Sequence, residues 1–135
     1  MIPLEEFKAE NREIMDLCTI LDSSVDRYSL RGNQIICELL ERFTDRVYAH
    51  LSHEHRSIYR DLLNQHTDDA NKIADKFLGN TQQLKRVFNE YKKDWCRNPH
   101  NEAEHARYVD ESRQIFRLVC DRIRFEEETI FPFFE

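Results

Sequence analysis

His50 and Glu54 stand four residues apart, and Arg122 and Glu126 repeat that spacing far along the chain. Four residues is close to one helical turn, so each pair leaves a single face of its helix. One imidazole and two carboxylates suit a borderline divalent cation, and three protein ligands plus water is an accepted arrangement for zinc or iron. Arg122 brings the opposite chemistry. A guanidinium offers N–H donors and no lone pair, and its planar fork matches carboxylates. Two arrangements therefore suggest themselves. In the first, His50, Glu54 and Glu126 hold one metal ion. In the second, Arg122 bridges Glu54 and Glu126, and Asn11 and His50 complete a buried polar network with no cofactor. The residue types lead to the second as the main expectation, with iron or zinc as the alternative.

Both arrangements depend on where these residues lie. The first helix is expected from about Leu4 to Tyr28, with an inner seam of Leu4, Phe7, Asn11, Ile14, Cys18, Leu21, Val25 and Tyr28. Arg31-Gly32-Asn33 reads as a turn, with glycine free to end a helix in the left-handed conformation. A second helix from about Gln34 to Asn64 puts Ile36, Leu40, Phe43, Val47, His50 and Glu54 inward. A polar loop near His66 to Asp69 leads to a third stretch carrying Ile73, Phe77, Leu84, Phe88, Tyr91 and Trp95. Within it, Gly79-Asn80 followed by Gln83 has the composition of a new helix start, so a kink is expected there. Arg97 to Asn101 is a loop around Pro99, and a fourth helix from about Glu102 to Phe133 turns Tyr108, Ser112, Ile115, Val119, Arg122, Glu126 and Ile130 inward. Steps of three and four with short connections specify an all-α, up-down-up-down four-helix bundle, one domain over residues 1–135. Asn11, His50, Glu54, Arg122 and Glu126 then fall where oil should be. An unpaired charge there costs several kcal/mol, so these groups must meet each other, a metal or water.

Those residues carry a resemblance. His50-Leu-Ser-His-Glu54 and Arg122-Ile-Arg-Phe-Glu126, continuing to Phe131-Pro132, resemble hemerythrin-like domains. That family places a His and a carboxylate four apart on each of these helices and takes further histidines from the first and third. The resemblance implies a metal-binding or oxygen-sensing bundle with a reduced ligand set, because Asn11, Asn71 and Arg122 stand at its other histidine positions. A second set is similar to the Rsd/AlgQ anti-sigma regulators: Leu40-Glu-Arg42-Phe43, Ser52, His55, Ile58-Tyr59, Lys72-Ile73, Asn80-Thr-Gln-Gln83, Arg122 and Phe125-Glu126-Glu127. It implies a non-enzymatic regulator that binds the primary sigma factor of RNA polymerase.

Composition narrows the remaining classes. The formal net charge is -6 and basic residues are interspersed with acidic ones, so no phosphate-binding patch for direct nucleic-acid contact stands out. An acidic surface would attract a basic DNA-binding partner. The opening MIPLEEFKAE does not read as a signal peptide, and no apolar run approaches membrane-spanning length. The four cysteines, Cys18, Cys37, Cys96 and Cys120, are far apart without a CxxC pair; reduced thiols in a cytoplasmic protein are expected, with Cys18 and Cys120 inward and inert. His53 and His55 are expected to be exposed or capping, and His100 and His105 carry no assigned role. Glu127 and Glu128 belong to a solvated face, and Phe131, Phe133 and Phe134 cap the bundle end. No nucleophile–base pair, phosphate loop or zinc-finger spacing is present, which points away from an enzyme.

Overall fold

The apolar seams close on one another in the computed structural model, which describes residues 2–98 and 101–135. Helix α1 spans Leu4–Asp22. Helix α2, 34–65, consists of α-helical Gln34–Glu54, one π-helical turn at His55–Tyr59 and a last α-helical piece, Arg60–Gln65. Helix α3 is Asp68–Tyr91. Helix α4, 102–134, is α-helical over Glu102–Phe125, π-helical over Glu126–Ile130 and closes with Phe131–Phe134. Helix α1 packs on α2 and α4, and α3 packs on the other side of the same pair. This is the expected four-helix bundle. Pro99 and His100, part of the expected loop, lie outside the described residues.

Local chemistry sets most of the helix ends. Asn33 caps α2 through Oδ1, which accepts from the N–H of Ile35 at 2.9 Å. Thr67 Oγ1 caps α3 through Ala70 N–H at 3.1 Å, and Asn101 Oδ1 caps α4 through Glu104 N–H at 2.9 Å. Each accepts from one of the donors that a helix start leaves free. Gly32 takes φ +76°, where a Cβ would collide with the side chain of Asn98. The first helix ends earlier than its seam suggests. Ser23 and Ser24 both donate their hydroxyls to Ile20 O at 2.8 Å, which offers the backbone an alternative to further helix. Val25 remains buried, but Tyr28 starts a short 3₁₀ turn, Tyr28–Leu30, and is exposed.

The expected break at Gly79-Asn80 does not form. Helix α3 runs through it, and Asn80 uses its side-chain oxygen to accept from Arg122 Nη1 at 2.9 Å rather than to cap a new helix. The expectation of four free thiols is also corrected. Cys37 and Cys96, 59 residues apart in sequence, are joined as a disulfide with Cα atoms 5.5 Å apart, tying the start of α2 to the segment after α3. Cys18 and Cys120 are the free thiols.

Two apolar clusters fill the bundle, one built around Leu40, Phe43, Leu84 and Phe88, the other around Phe7, Ile58, Leu62, Phe77 and Phe131. His50, Glu54, Arg122 and Glu126 are buried members of neither cluster. The two π turns begin right after Glu54 and at Glu126. Each step of four residues overshoots a full α-helical turn by about 40°, so His50, Glu54, Ile58 and Leu62 would spiral off the core face of an ideal helix. The wider turn takes back that drift, and all four are buried. Pro132, which has no N–H to give to the turn before it, lies two residues past the end of the second π turn. Among the described residues no helix is long and apolar enough to cross a membrane.

A Cβ built on Gly79 meets nothing within 4 Å. Gly79→Ala therefore raises the unfolding free energy by about 0.5–1 kcal/mol, the ordinary gain of alanine over glycine inside a helix. Urea denaturation measures it. A loss of stability would mean that α3 is broken at that position after all.

Candidate metal centre

The polar slab is assembled from all four helices. His50 and Glu54 come from α2, Arg122 and Glu126 from α4, Asn80 and Thr81 from α3, and Glu10 and Asn11 from α1. The Arg122 guanidinium is its hub. Nε donates to Glu126 Oε2 at 2.7 Å and Nη2 donates to Glu54 Oε1 at 3.3 Å. Nη1 donates to Thr81 Oγ1 at 2.8 Å, Asn80 Oδ1 at 2.9 Å and the Phe77 carbonyl at 3.2 Å. The guanidinium carbon lies 4.1 Å from the centre of the Phe77 ring, a cation–π contact. The bridge between the two glutamates forms as the sequence implies, but with one nitrogen to each carboxylate rather than a fork on one of them.

His50 has a carboxylate at each ring nitrogen: Glu10 Oε1 lies 2.6 Å from Nδ1 and Glu126 Oε1 2.9 Å from Nε2. Glu54 Oε1 is also 3.3 Å from Nε2. Burial by itself pushes the imidazole pKa down, but the hydrogen bonds and charges of Glu126 and Glu10 outweigh it, and the net shift is upward. With both nitrogens facing carboxylates, an imidazolium that donates from each satisfies the geometry. The two buried glutamates divide. For Glu126 burial raises the pKa, yet the His50 hydrogen bond and charge and the Arg122 charge override it and hold the group at about 2. For Glu54 burial and the charge of Glu126 both push upward, and Arg122 opposes them only in part. The pair's environments thus push the two carboxyls apart, favouring the protonated form of Glu54 and the ionised form of Glu126.

Several expectations need correction. Asn11 is fully buried, but neither its Oδ1 nor its Nδ2 has a hydrogen-bond partner, so it does not complete the Arg122 network. Asn71 is exposed near the start of α3; the residues of that helix that touch Arg122 are Phe77, Asn80 and Thr81. His53 is half-buried rather than a free surface residue. Its Nδ1 lies 3.0 Å from Glu10 Oε2, and its ring meets Phe7 edge-on at 4.5 Å. His55 is exposed, as expected, and stacks on Tyr59. His105 is buried, with Nε2 3.1 Å from the Asp26 carbonyl. Glu10, Asn80 and Thr81 escape the sequence reading because they lie beside the seams. The one available signal was Glu10 next to Asn11 on the first helix.

The donor set can be tested against a metal on the geometry alone. His50, Glu54 and Glu126 each offer a ligand atom, and these atoms lie within 4.8 Å of one another. Glu54 Oε2 and both polar atoms of Asn11 are buried without partners, as expected where an ion or an ordered water is to be received. Glu10 at Nδ1 supplies the outer carboxylate that metal-bound histidines customarily use to fix the ring and its tautomer. A cleft of about 320 Å³ lined by Glu10, Glu13, Arg46, His50 and His53 leads from the surface to this edge of the slab. The residues fit one ion. They do not fit two, because the Arg122 guanidinium, with no lone pair to offer, fills the other half of the slab.

A bundle with a buried His/Glu/Glu group between its helices belongs to the class of helical cation-binding domains. The chain is a member of the hemerythrin HHE cation-binding domain family, whose model matches residues 2–134. It is also similar to protein Ycf2 of Aethionema cordifolium, at 31% identity over 84 residues, covering 56% of this chain and 4% of that protein. So small a share of the relative carries no argument about function. No solved structure matches. The likeness to the Rsd/AlgQ regulators rests on its short sequence matches alone.

Two predictions follow from the Arg122 network. In metal-free protein, Arg122→Ala lowers the unfolding free energy by about 3–5 kcal/mol, the usual result of stranding buried carboxylates; unchanged stability would show that the bridge contributes nothing. The pH profile has two limbs. Glu126, lowered from 4.5 to about 2, stabilises the fold above pH 4.5 and loses that contribution as pH falls through about 2. His50, raised above 6.5, stabilises below that value and loses its contribution as pH rises through its folded pKa. Urea midpoints measured across pH should fall on both sides, and Glu126→Gln should flatten the acid limb. A profile flat on both sides would contradict these charge assignments.

Proposed function

We propose that this protein is a non-enzymatic cation-binding bundle that holds a single divalent ion, iron or zinc, on His50, Glu54 and Glu126. Arg122 acts as a built-in positive charge beside it. The observation that carries the reading is the unpartnered Glu54 Oε2, which faces no donor although every other member of the charged slab is engaged. The bound ion would supply Lewis acidity and, for iron, redox responsiveness. The chain's own residues do the rest. His50 turns Nε2 toward the two glutamates because Glu10 holds Nδ1. Arg122 fixes both carboxylates and compensates part of their charge, and the cleft beside Glu10 reaches His50 from solvent.

Charge balance ties uptake to proton release. The upward shifts of Glu54 and His50 both favour the protonated forms, which stand in the way of a ligand lone pair. Binding a dication therefore releases protons from these groups. Anaerobic titration calorimetry with Fe²⁺ or Zn²⁺, in two buffers of different ionisation enthalpy, measures the ion stoichiometry and the proton release. The reading predicts one ion per chain, net proton release on binding, affinity rising with pH, and loss of binding in His50→Ala and Glu126→Gln. Two ions per chain would overturn the role given to Arg122. No uptake by folded protein would overturn the metal reading itself.

That last outcome would favour a second reading, a metal-independent regulator that binds a protein partner such as the primary sigma factor. Its support is that Arg122 already has five hydrogen-bond partners without any ion. Co-purification of purified sigma factor with the metal-free chain would support it. Failure of the two to associate would remove it.

A further inference from the structure

Away from the slab, three sulfur side chains meet where α1 packs on α4. Met15 and Cys18 are three residues apart in α1, on one face of the helix. Cys120 of α4 reaches across, with Sγ 3.8 Å from Met15 Sδ. Cys18 and Cys120 are themselves close enough to hydrogen-bond. Cys18 is buried, Cys120 and Met15 are half-buried, and all three line an open groove of about 380 Å³ flanked by Asp22, Arg113 and Arg117. Core sulfurs ordinarily have only apolar neighbours. Here two thiols and a thioether converge beside solvent, with an entry path. No carboxylate is in contact with the sulfurs among the hydrogen bonds and ion pairs described, and Asp22 and Asp26 are engaged by Arg113.

We propose that Met15, Cys18 and Cys120 form a second, soft metal site that takes a single Cu(I) ion. Two thiolates and a thioether are the ligand set that selects Cu(I) over the harder divalent ions suited to His50, Glu54 and Glu126. Each thiol that ligates gives its proton to solvent, and copper enters and stays as Cu(I), so no electron is transferred. Arg117 at the rim offsets the excess negative charge of two thiolates around a monovalent ion, while Arg113 is taken up by Asp22 and Asp26. Burial, and then the neighbouring Cys120, push the Cys18 thiol up to about 12, so without metal Cys18 rests as an uncharged, unreactive thiol. A thiophilic cation displaces that proton where a base at neutral pH does not. The site shares no residue with the slab and does not depend on the slab binding a metal.

Anaerobic Cu(I) titration against a chromophoric Cu(I) chelator, with ascorbate as the only reductant, tests this. The intact protein should take one Cu(I) per chain and develop an ultraviolet thiolate-to-copper charge-transfer band. Cys120→Ser should weaken binding by about 100-fold or more, beyond the loss that removal of an outer-shell partner brings. Met15→Leu, which keeps the packing volume, should weaken it by about tenfold with the helical circular dichroism unchanged. The Cys37→Ser/Cys96→Ser double variant should bind as the intact chain does. The proposal is overturned by equal affinity in Cys120→Ser, by binding that disappears with Cys37 and Cys96, or by absence of the charge-transfer band. Oxidation to a Cys18–Cys120 disulfide that expels the copper would also overturn it.

Discussion

A guanidinium buried among four helices has to be neutralised and hydrogen-bonded on every side, and the rest of this bundle is arranged around that requirement. Arg122 is 2% exposed, and water cannot serve it. Its five hydrogen bonds reach α2, α3 and α4, so one side chain fixes the mutual register of three helices. Two carboxylates are drawn inside to meet it, and they in turn require His50 and, through His50, Glu10 on α1. An apolar slab of equal volume would often be as stable or more so. The polar one specifies a single alignment of the helices and leaves a chemically competent edge.

That edge follows from an imbalance. Arg122 engages Glu54 through one oxygen only, leaving Oε2 without a partner. In the metal-free state burial and the Glu126 charge favour protonation of Glu54, which lowers the charge of the slab. A dication would do the same job with the carboxylate ionised and His50 neutral. The slab can therefore be read as a cation site in which a tethered charge holds one place and exchangeable ions, protons or metal, hold the other. The π turns after Glu54 and at Glu126 keep the carboxylates and the apolar residues beyond them on one face, as π turns often do beside functional residues.

The inward positions were legible from periodicity. Asn11, His50, Glu54, Arg122 and Glu126 break apolar seams whose steps of three and four are plain, and all five are buried. The caps at Asn33, Thr67 and Asn101 use side chains with local reasons to end a loop. Partnerships between helices were not legible, because a seam gives the face of each helix but not its axial register. Glu10, Asn80 and Thr81 enter the site only once that register is fixed, and Asn71 leaves it for the same reason. Gly79-Asn80 looked like a break because its local signals were read without Arg122, whose bond to Asn80 gives that side chain a tertiary task. The Cys37–Cys96 pair spans 59 residues and has no local signature at all.

The central claim is that Arg122 and one metal ion divide the slab between them. Crystals grown with Zn²⁺ and measured at the zinc absorption edge test it most directly. The account predicts a single anomalous peak bounded by His50 Nε2 and the carboxylates of Glu54 and Glu126, with Arg122 still bonded to Asn80 and Thr81. Two peaks, a peak that displaces the Arg122 guanidinium from the slab, or none at these residues in zinc-saturated crystals would contradict it.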